Sequence, residues 1–327
     1  MSVSPKVSVI VPIYKVQDFI GRCVETLLGQ TLQEVEYIFV NDCTPDNSIE
    51  VLNEMCCKYP SRRKQITILH HEVNKGLPAA RNTGLAVAQG EYIFHCDSDD
   101  FVELSMLEKM VEAAEKYNAD LVWCDWYLSF ETRERYMREP YAATQEDVLK
   151  NILSGVMKYN VWNKLIRRSV YESAGVLFPS GYGMGEDMTI IRLLPYVKYV
   201  AYCAEALYHY VKTNTEAFTY RISEKHLAAL MYNTKLTVDT LSACYGNKYH
   251  VELAFFKQNV KLPFLISSSK EDYSIWRSLY PESNAYIWRN KKMSLRTRLL
   301  EWFAFRGQFW FIRMHYKLIT QYYKQYS

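Results

Sequence analysis

The chain predicts an α/β fold, a mostly parallel sheet between helices with a helical C-terminal extension, and three observations carry that expectation. Short β-branched runs alternate with helical patterns through the first 125 residues. Polar, turn-forming segments stand where three of those runs end. Beyond residue 220 the alternation stops and only helical periodicity remains.

Val7 to Ile13 is the first strand-like run. The next stretch places Phe19, Ile20, Cys23, Val24, Leu27 and Leu28 on one helical face, with Asp18 near its start. Val35 to Val40 makes a second strand. Thr44 and Pro45 then suit an N-cap and a first helical position for a helix carrying Ile49, Leu52 and Met55. Ile66 to Leu69, a helix from Pro78 to Ala88, Tyr92 to Cys96, a helix from Leu104 to Tyr117, and Leu121 to Cys124 continue the alternation. A sheet of this kind is covered by helices on both faces and binds ligands beyond the carboxyl ends of its strands. Pro12 to Tyr14, Asn41 to Asp46 and Asp97 to Asp100 fall at such ends.

With 327 residues, 49% of them apolar, the chain is long enough to bury a substantial core, so disorder is not the default. A net charge of +3 gives no bulk argument for nucleic acid. The eight cysteines show no metal-knuckle spacing, so neither zinc nor disulfides are expected. No stretch has the pattern of a secretion signal or approaches the roughly 20 apolar residues that span a bilayer, and a cytoplasmic protein is expected.

The most informative segment is Gly90-Glu91-Tyr92-Ile93-Phe94-His95-Cys96-Asp97-Ser98-Asp99-Asp100, a strand ending in three carboxylates within four residues. Carboxylates so close repel one another and are stabilised by a cation, and Asp97 and Asp99 share one side of an extended chain. Mg²⁺ or Mn²⁺ bridging to phosphate oxygens is the expected occupant. The competing reading is an acidic turn capping a helix that starts near Phe101.

Four ordered motifs resemble the family 2 glycosyltransferases: Val7 to Tyr14, Val40-Asn41-Asp42 leading to Asp46-Asn47-Ser48, Asn74 to Gly84, and Gly90 to Asp100. The resemblance is dense over residues 6–125, returns at Trp162-Asn163-Lys164 and Gly185-Glu186-Asp187, and fades after residue 211. It implies a GT-A fold and an inverting transferase that uses a nucleotide diphosphate sugar and a divalent cation. By that resemblance Asp99 is the direct metal ligand, with Asp97 holding the metal through water or contacting the ribose and Ser98 on the donor side. It also implies uridine as the base. Asp42 would bond the base with Asn41 as helper, Asn41 standing where the family more often has Asp. Pro12 and Tyr14 would flank the base, and Arg81, a cationic fork in a small-residue segment, suits the diphosphate.

An attacking hydroxyl must lose a proton, and the resemblance makes Asp187 the base and Glu186 its acceptor-positioning neighbour. Simple helix capping by these two residues is the bland alternative. Trp162, Asn163 and Lys164 are expected near the acceptor, a glycan or lipid-linked glycan in cell-surface polysaccharide synthesis, the alternative for Trp162 being a buried core tryptophan. His209 or Lys212 would stand in for the family's late arginines, which are absent here, the alternative for His209 being a structural hydrogen-bonding residue at a strand's end. Two domains are expected, 1–220 catalytic and 221–327 helical. The end of the chain holds Arg289, Lys291, Lys292, Arg296, Arg298, Arg306, Arg313, Lys317 and Lys324 among aromatics, with Glu301 the acid among them. That pattern suits an anionic membrane surface, the alternative being a packed helical lid. A sugar nucleotidyltransferase lacks its glycine-rich loop after the first strand, a dehydrogenase its Gly-x-Gly-x-x-Gly, and a noncatalytic scaffold would not need Asp42, Asp97, Asp99 and Asp187 together.

Overall fold

A computed structural model describes residues 4–213, 223–267 and 269–325, with side-chain surroundings through residue 318. The chain divides into two compact units, one of residues 1–147 and 159–237, the other of residues 148–158 and 238–327. The boundary expected at residue 220 lies outside the described residues.

The first unit begins with β1 (Val7–Ile13), α1 (Ile20–Leu28), β2 (Val35–Asn41), α2 (Ser48–Cys57), β3 (Ile66–His70), α3 (Leu77–Val87) and β4 (Tyr92–His95). There follow β5 (Phe101–Val102), α4 (Met106–Tyr117), β6 (Leu121–Ser129), β7 (Glu134–Met137), α5 (Gln145–Leu153, of which Val148 onward belongs to the second unit), β8 (Lys164–Arg167), α6 (Arg168–Ala174), α7 (Thr189–Leu193) and β9 (Val200–Val211). The nine strands form one sheet in the order β3-β2-β1-β4-β8-β6-β9-β5, with β7 paired to β6. β3, β2, β1 and β4 run parallel, while β8 enters antiparallel between β4 and β6. The sheet is therefore mixed, its regular parallel half being the half that the alternation announces. Every residue of β1 is buried, as a strand covered on both faces requires. α3 lies so close to it that a Cβ on Gly84 would stand 2.4 Å from Ile10 Cγ2, which only glycine permits.

Two local expectations shift. α2 starts at Ser48 because the Asp46 carboxylate accepts from the Ser48 N–H and hydroxyl and from Thr44 Oγ1, turning 44–46 into a closed bend before the helix. Phe101 does not open a helix: Phe101 and Val102 pair with His209 and Tyr208 of β9, and α4 begins only at Met106.

The second unit is helical among the described residues. α8 (Glu224–Tyr245) contributes its residues from 238 onward, followed by α9 (His250–Lys261), α10 (Lys270–Ser278), α11 (Leu295–Phe305) and α12 (Phe309–Gln325). Trp276, Phe256 and Phe264 fill its interior, and the fully buried Glu301 lies there as well. No described helix is long and apolar enough to cross a membrane.

Candidate active site

Parallel pairing brings the ends of β1, β2 and β4 side by side, with Ile13 opposite Asn41 and Ile10 opposite His95. The chain leaves β1 and β2 through left-handed residues, Lys15 at φ 55° and Cys43 at φ 56°, an arrangement that non-glycine residues adopt only when their surroundings hold them. The Lys15 N–H donates to Thr44 Oγ1 at 2.8 Å, which sets Tyr14, 42% exposed, beside the 41–46 bend. Pro12 is buried beyond the last β1–β4 pair, where its missing N–H leaves that ladder intact.

Asn41 accepts from the Thr44 N–H at 2.9 Å, and its amide meets His70 Nδ1. Asp42 is buried and takes three bonds: His71 Nδ1 at 2.6 Å and the Lys75 N–H at 2.8 Å on one oxygen, the Gly76 N–H at 2.8 Å on the other. That carboxylate organises the 71–76 loop and keeps acceptor capacity only on its second oxygen. His71 was not anticipated; its place directly after β3 beside Asn74-Lys75-Gly76 was the available signal.

At the end of β4 the acidic run splits. Asp97 faces α3, where Arg81 Nη2 donates to its Oδ1 at 2.8 Å; Ser98 is buried and Asp99 half-buried. Asp100 turns toward β9, accepting from the Tyr208 hydroxyl at 2.7 Å and the Val211 N–H at 2.7 Å. Burial first, then the charges of Asp99 and Asp97, hold its carboxyl well above the usual range.

Arg81, only 1% exposed, joins two chemistries. Its Nη2 also lies 3.8 Å from Glu186 Oε1. Burial works against its charge, and Asp97, Asp187 and Glu186 together outweigh burial, so the guanidinium stays firmly protonated. Glu186 and Asp187 open a 3₁₀ turn, Glu186–Met188, entered through Gly185 at φ 83°. The preceding segment is pinned: Asn82 exchanges two bonds with the Phe178 backbone, Asn233 donates to the carbonyls of Tyr182 and Met184, and Tyr182 stacks on Tyr232 at 3.8 Å. Burial pushes Asp187 up to about 6, with Asp97 adding and with Arg81 and Lys164 pulling down. Glu186 is raised by burial and by Asp187.

The residues expected on the acceptor side are all buried. Trp162 is 5% exposed and stacks on Tyr208 at 4.5 Å and Tyr210 at 5.3 Å, inside the core. Asn163, fully buried, donates to the Cys124 carbonyl and accepts from Lys164. Lys164 is buried too, with Nζ on the Asn160 carbonyl at 2.8 Å, and burial lowers it to about 8; of the three it alone acts on Asp187. His209 lies between strands, stacked on Phe101 at 4.1 Å and Tyr127 at 4.8 Å, its ring nitrogens bonded to Glu103 and Glu134.

The model of the family described as "Glycosyl transferase family 2" matches residues 8–180, more than half of the chain. This protein belongs to glycosyl transferase family 2. Among curated relatives, Bacillus subtilis EpsH, a putative glycosyltransferase, is 32% identical over 269 residues, covering 79% of this chain and 71% of its own. The uncharacterized glycosyltransferase EpsJ of the same organism is 37% identical over 190 residues, 56% of this chain, and the match spans only 54% of EpsJ. Among solved structures, S. aureus TarS 1–349 in complex with UDP-GlcNAc superposes with a TM-score of 0.70 at 18% identity, over 97% of this chain and 92% of that one, which shows the GT-A-type fold. The family membership makes this chain a glycosyltransferase.

A divalent cation fits the donor set in a limited way. Among the described residues no three His, Cys, Asp or Glu side chains gather into a cage, but Asp97 and Asp99 offer two carboxylates at one strand end. Mg²⁺ is commonly held by one or two carboxylates with substrate phosphates and water completing its shell.

Proposed function

We propose that this glycosyltransferase moves a hexose-type sugar, with inversion, from a nucleotide diphosphate sugar to a hydroxyl of a glycan or lipid-linked glycan. The observation that carries the reading is the buried Arg81 held between Asp97 and the Glu186–Asp187 pair, with Asp187 pushed up to about 6. A carboxylate poised there is basic enough to take a hydroxyl proton and still ionised at neutral pH. Glu186 positions the acceptor beside it. On the donor side, Pro12, Tyr14, Asn41 and Asp42 receive the base, Asp97 and Ser98 the ribose and diphosphate, and Arg81 sets the charge behind them. Asp99 and Asp97 would hold Mg²⁺ or Mn²⁺, which when bound neutralises charge growing on the departing diphosphate. UDP is the proposed leaving nucleotide. The C-terminal unit supports a role at an anionic membrane surface: Trp310, Leu295 and Phe305 are 61%, 59% and 53% exposed beside Arg296, Arg306 and Lys317, whereas the Lys324 side chain lies outside those described. Transfer assays with a panel of nucleotide sugars, run with wild type and Asp187→Asn, test the reading; turnover that survives the substitution would remove Asp187 from its role.

A further inference from the structure

Buried polar atoms without partners collect on the hidden side of Arg81. They are Nε and Nη1 of Arg81, both ring nitrogens of His95, the Tyr171 hydroxyl and Oδ1 of Asp187. The four side chains share one neighbourhood. Arg81 acts electrostatically on His95, Tyr171 and Asp187, and the His95 ring meets Tyr171 edge-on at 6.2 Å. Phe178 closes the apolar wall, 5.0 Å from the His95 ring and 5.7 Å from the guanidinium. The atoms are complementary but do not bond one another: Arg81 offers three N–H donors there, while the imidazole, the phenol and the carboxylate each offer an acceptor. Native interiors rarely leave such groups unmade, and water, which donates and accepts, is what satisfies them across gaps too long for direct contact.

We propose that Arg81, His95, Tyr171 and Asp187 enclose a buried water site, and that His95 and Tyr171 are positioning residues that fix Arg81 and one oxygen of Asp187 through that water. Held so, Asp187 is fixed at one oxygen by the water and meets the Glu186 side chain with the other, and the pair is turned to the acceptor hydroxyl. The catalytic consequence rests on the reading of Asp187 as base; the water site does not.

The test pairs a high-resolution crystal structure of the full chain with kinetics of three variants. An ordered water within hydrogen-bond reach of both Arg81 Nη1 and Tyr171 Oη is expected; side chains bonded directly to one another, or a dry chamber, would overturn the site. Tyr171→Phe and His95→Leu should each lower kcat about tenfold while UDP affinity stays within about twofold, and His95→Asn, which keeps an acceptor, should recover most of the loss. A lowered thermal midpoint with unchanged kcat, or equal kcat for His95→Leu and His95→Asn, would show a merely structural role and overturn the positioning claim. Should the wild type transfer no sugar from any nucleotide donor, the functional reading falls, and the crystallographic arm still decides the water site.

Discussion

Asp97 and Asp100 stand three residues apart at the end of one strand, yet their surroundings differ in kind. Asp100 is complete: a tyrosine hydroxyl and a backbone N–H occupy its two oxygens, and nothing more is needed of it. His209 and Asn163 are likewise bonded to neighbouring protein groups, and Trp162 is stacked on Tyr208. Around Asp97 the accounts stay open, with a buried arginine bearing unpartnered N–H groups, a carboxylate oxygen of Asp187 unmet, and three acids facing one guanidinium. The difference teaches where chemistry is to be sought: buried polar groups left unpartnered beside a cluster of charges at a strand end are candidates for a site, whereas groups already bonded within the sheet are not.

The contrast can be broken most severely at Asp187. Asp187→Asn should reduce kcat by about 10²- to 10⁴-fold with UDP affinity nearly intact, measured by calorimetry beside steady-state transfer. In the wild type, transfer should fall as pH drops through about 6, because protonation removes the base, by about tenfold per unit below that pH, and a flat profile from pH 5 to 8 would contradict the assignment. Arg81→Met removes one partner of a buried charge pair and should cost about 3–5 kcal/mol of stability as well as donor binding, which chemical denaturation would register.

Glu301 sharpens the comparison from outside the site. Its carboxylate is fully buried in the second unit with both oxygens unpartnered, and burial raises it to about 7 despite Lys261. A raised carboxyl stabilises the folded state below its unfolded value near 4.5, and that contribution is lost as pH rises through about 7. Glu301→Gln should therefore raise the thermal midpoint at pH 8 and not at pH 4.5, by up to about 3 kcal/mol in stability, with transfer unchanged. Loss of transfer would mean that an open polar group marks function there too. The smallest effect belongs to Asp100→Ala, which should destabilise by about 1–3 kcal/mol through the orphaned Tyr208 hydroxyl and Val211 N–H, while kcat per folded molecule holds.

Much of this was legible in the sequence because it is local. β1 runs from Val7 to Ile13 as its β-branched pattern states, and Asn41–Asp42 and Asp97–Asp99 sit at strand ends because a parallel sheet puts them there. Long-range pairing was not legible. Nothing in Lys164–Arg167 says that it runs antiparallel between β4 and β6, and the periodicity of Val200–Val211 does not say that Tyr208 will meet Asp100 across 108 residues. The choice between two readings was equally illegible at Trp162 and His209: an aromatic or a histidine in a family motif reads alike whether it faces a sugar or a neighbouring strand. His95 and Tyr171 escaped notice because each looks like an ordinary core residue until the fold sets it beside Arg81.

The central claim, that the open side of this strand end is a metal-dependent nucleotide-sugar pocket, is most directly tested by calorimetry of UDP and GDP with and without Mn²⁺, on wild type and Asp99→Asn. The account predicts UDP binding that requires Mn²⁺ and disappears in the variant. Failure of both nucleotides to bind, or metal-independent binding that survives Asp99→Asn, would contradict it.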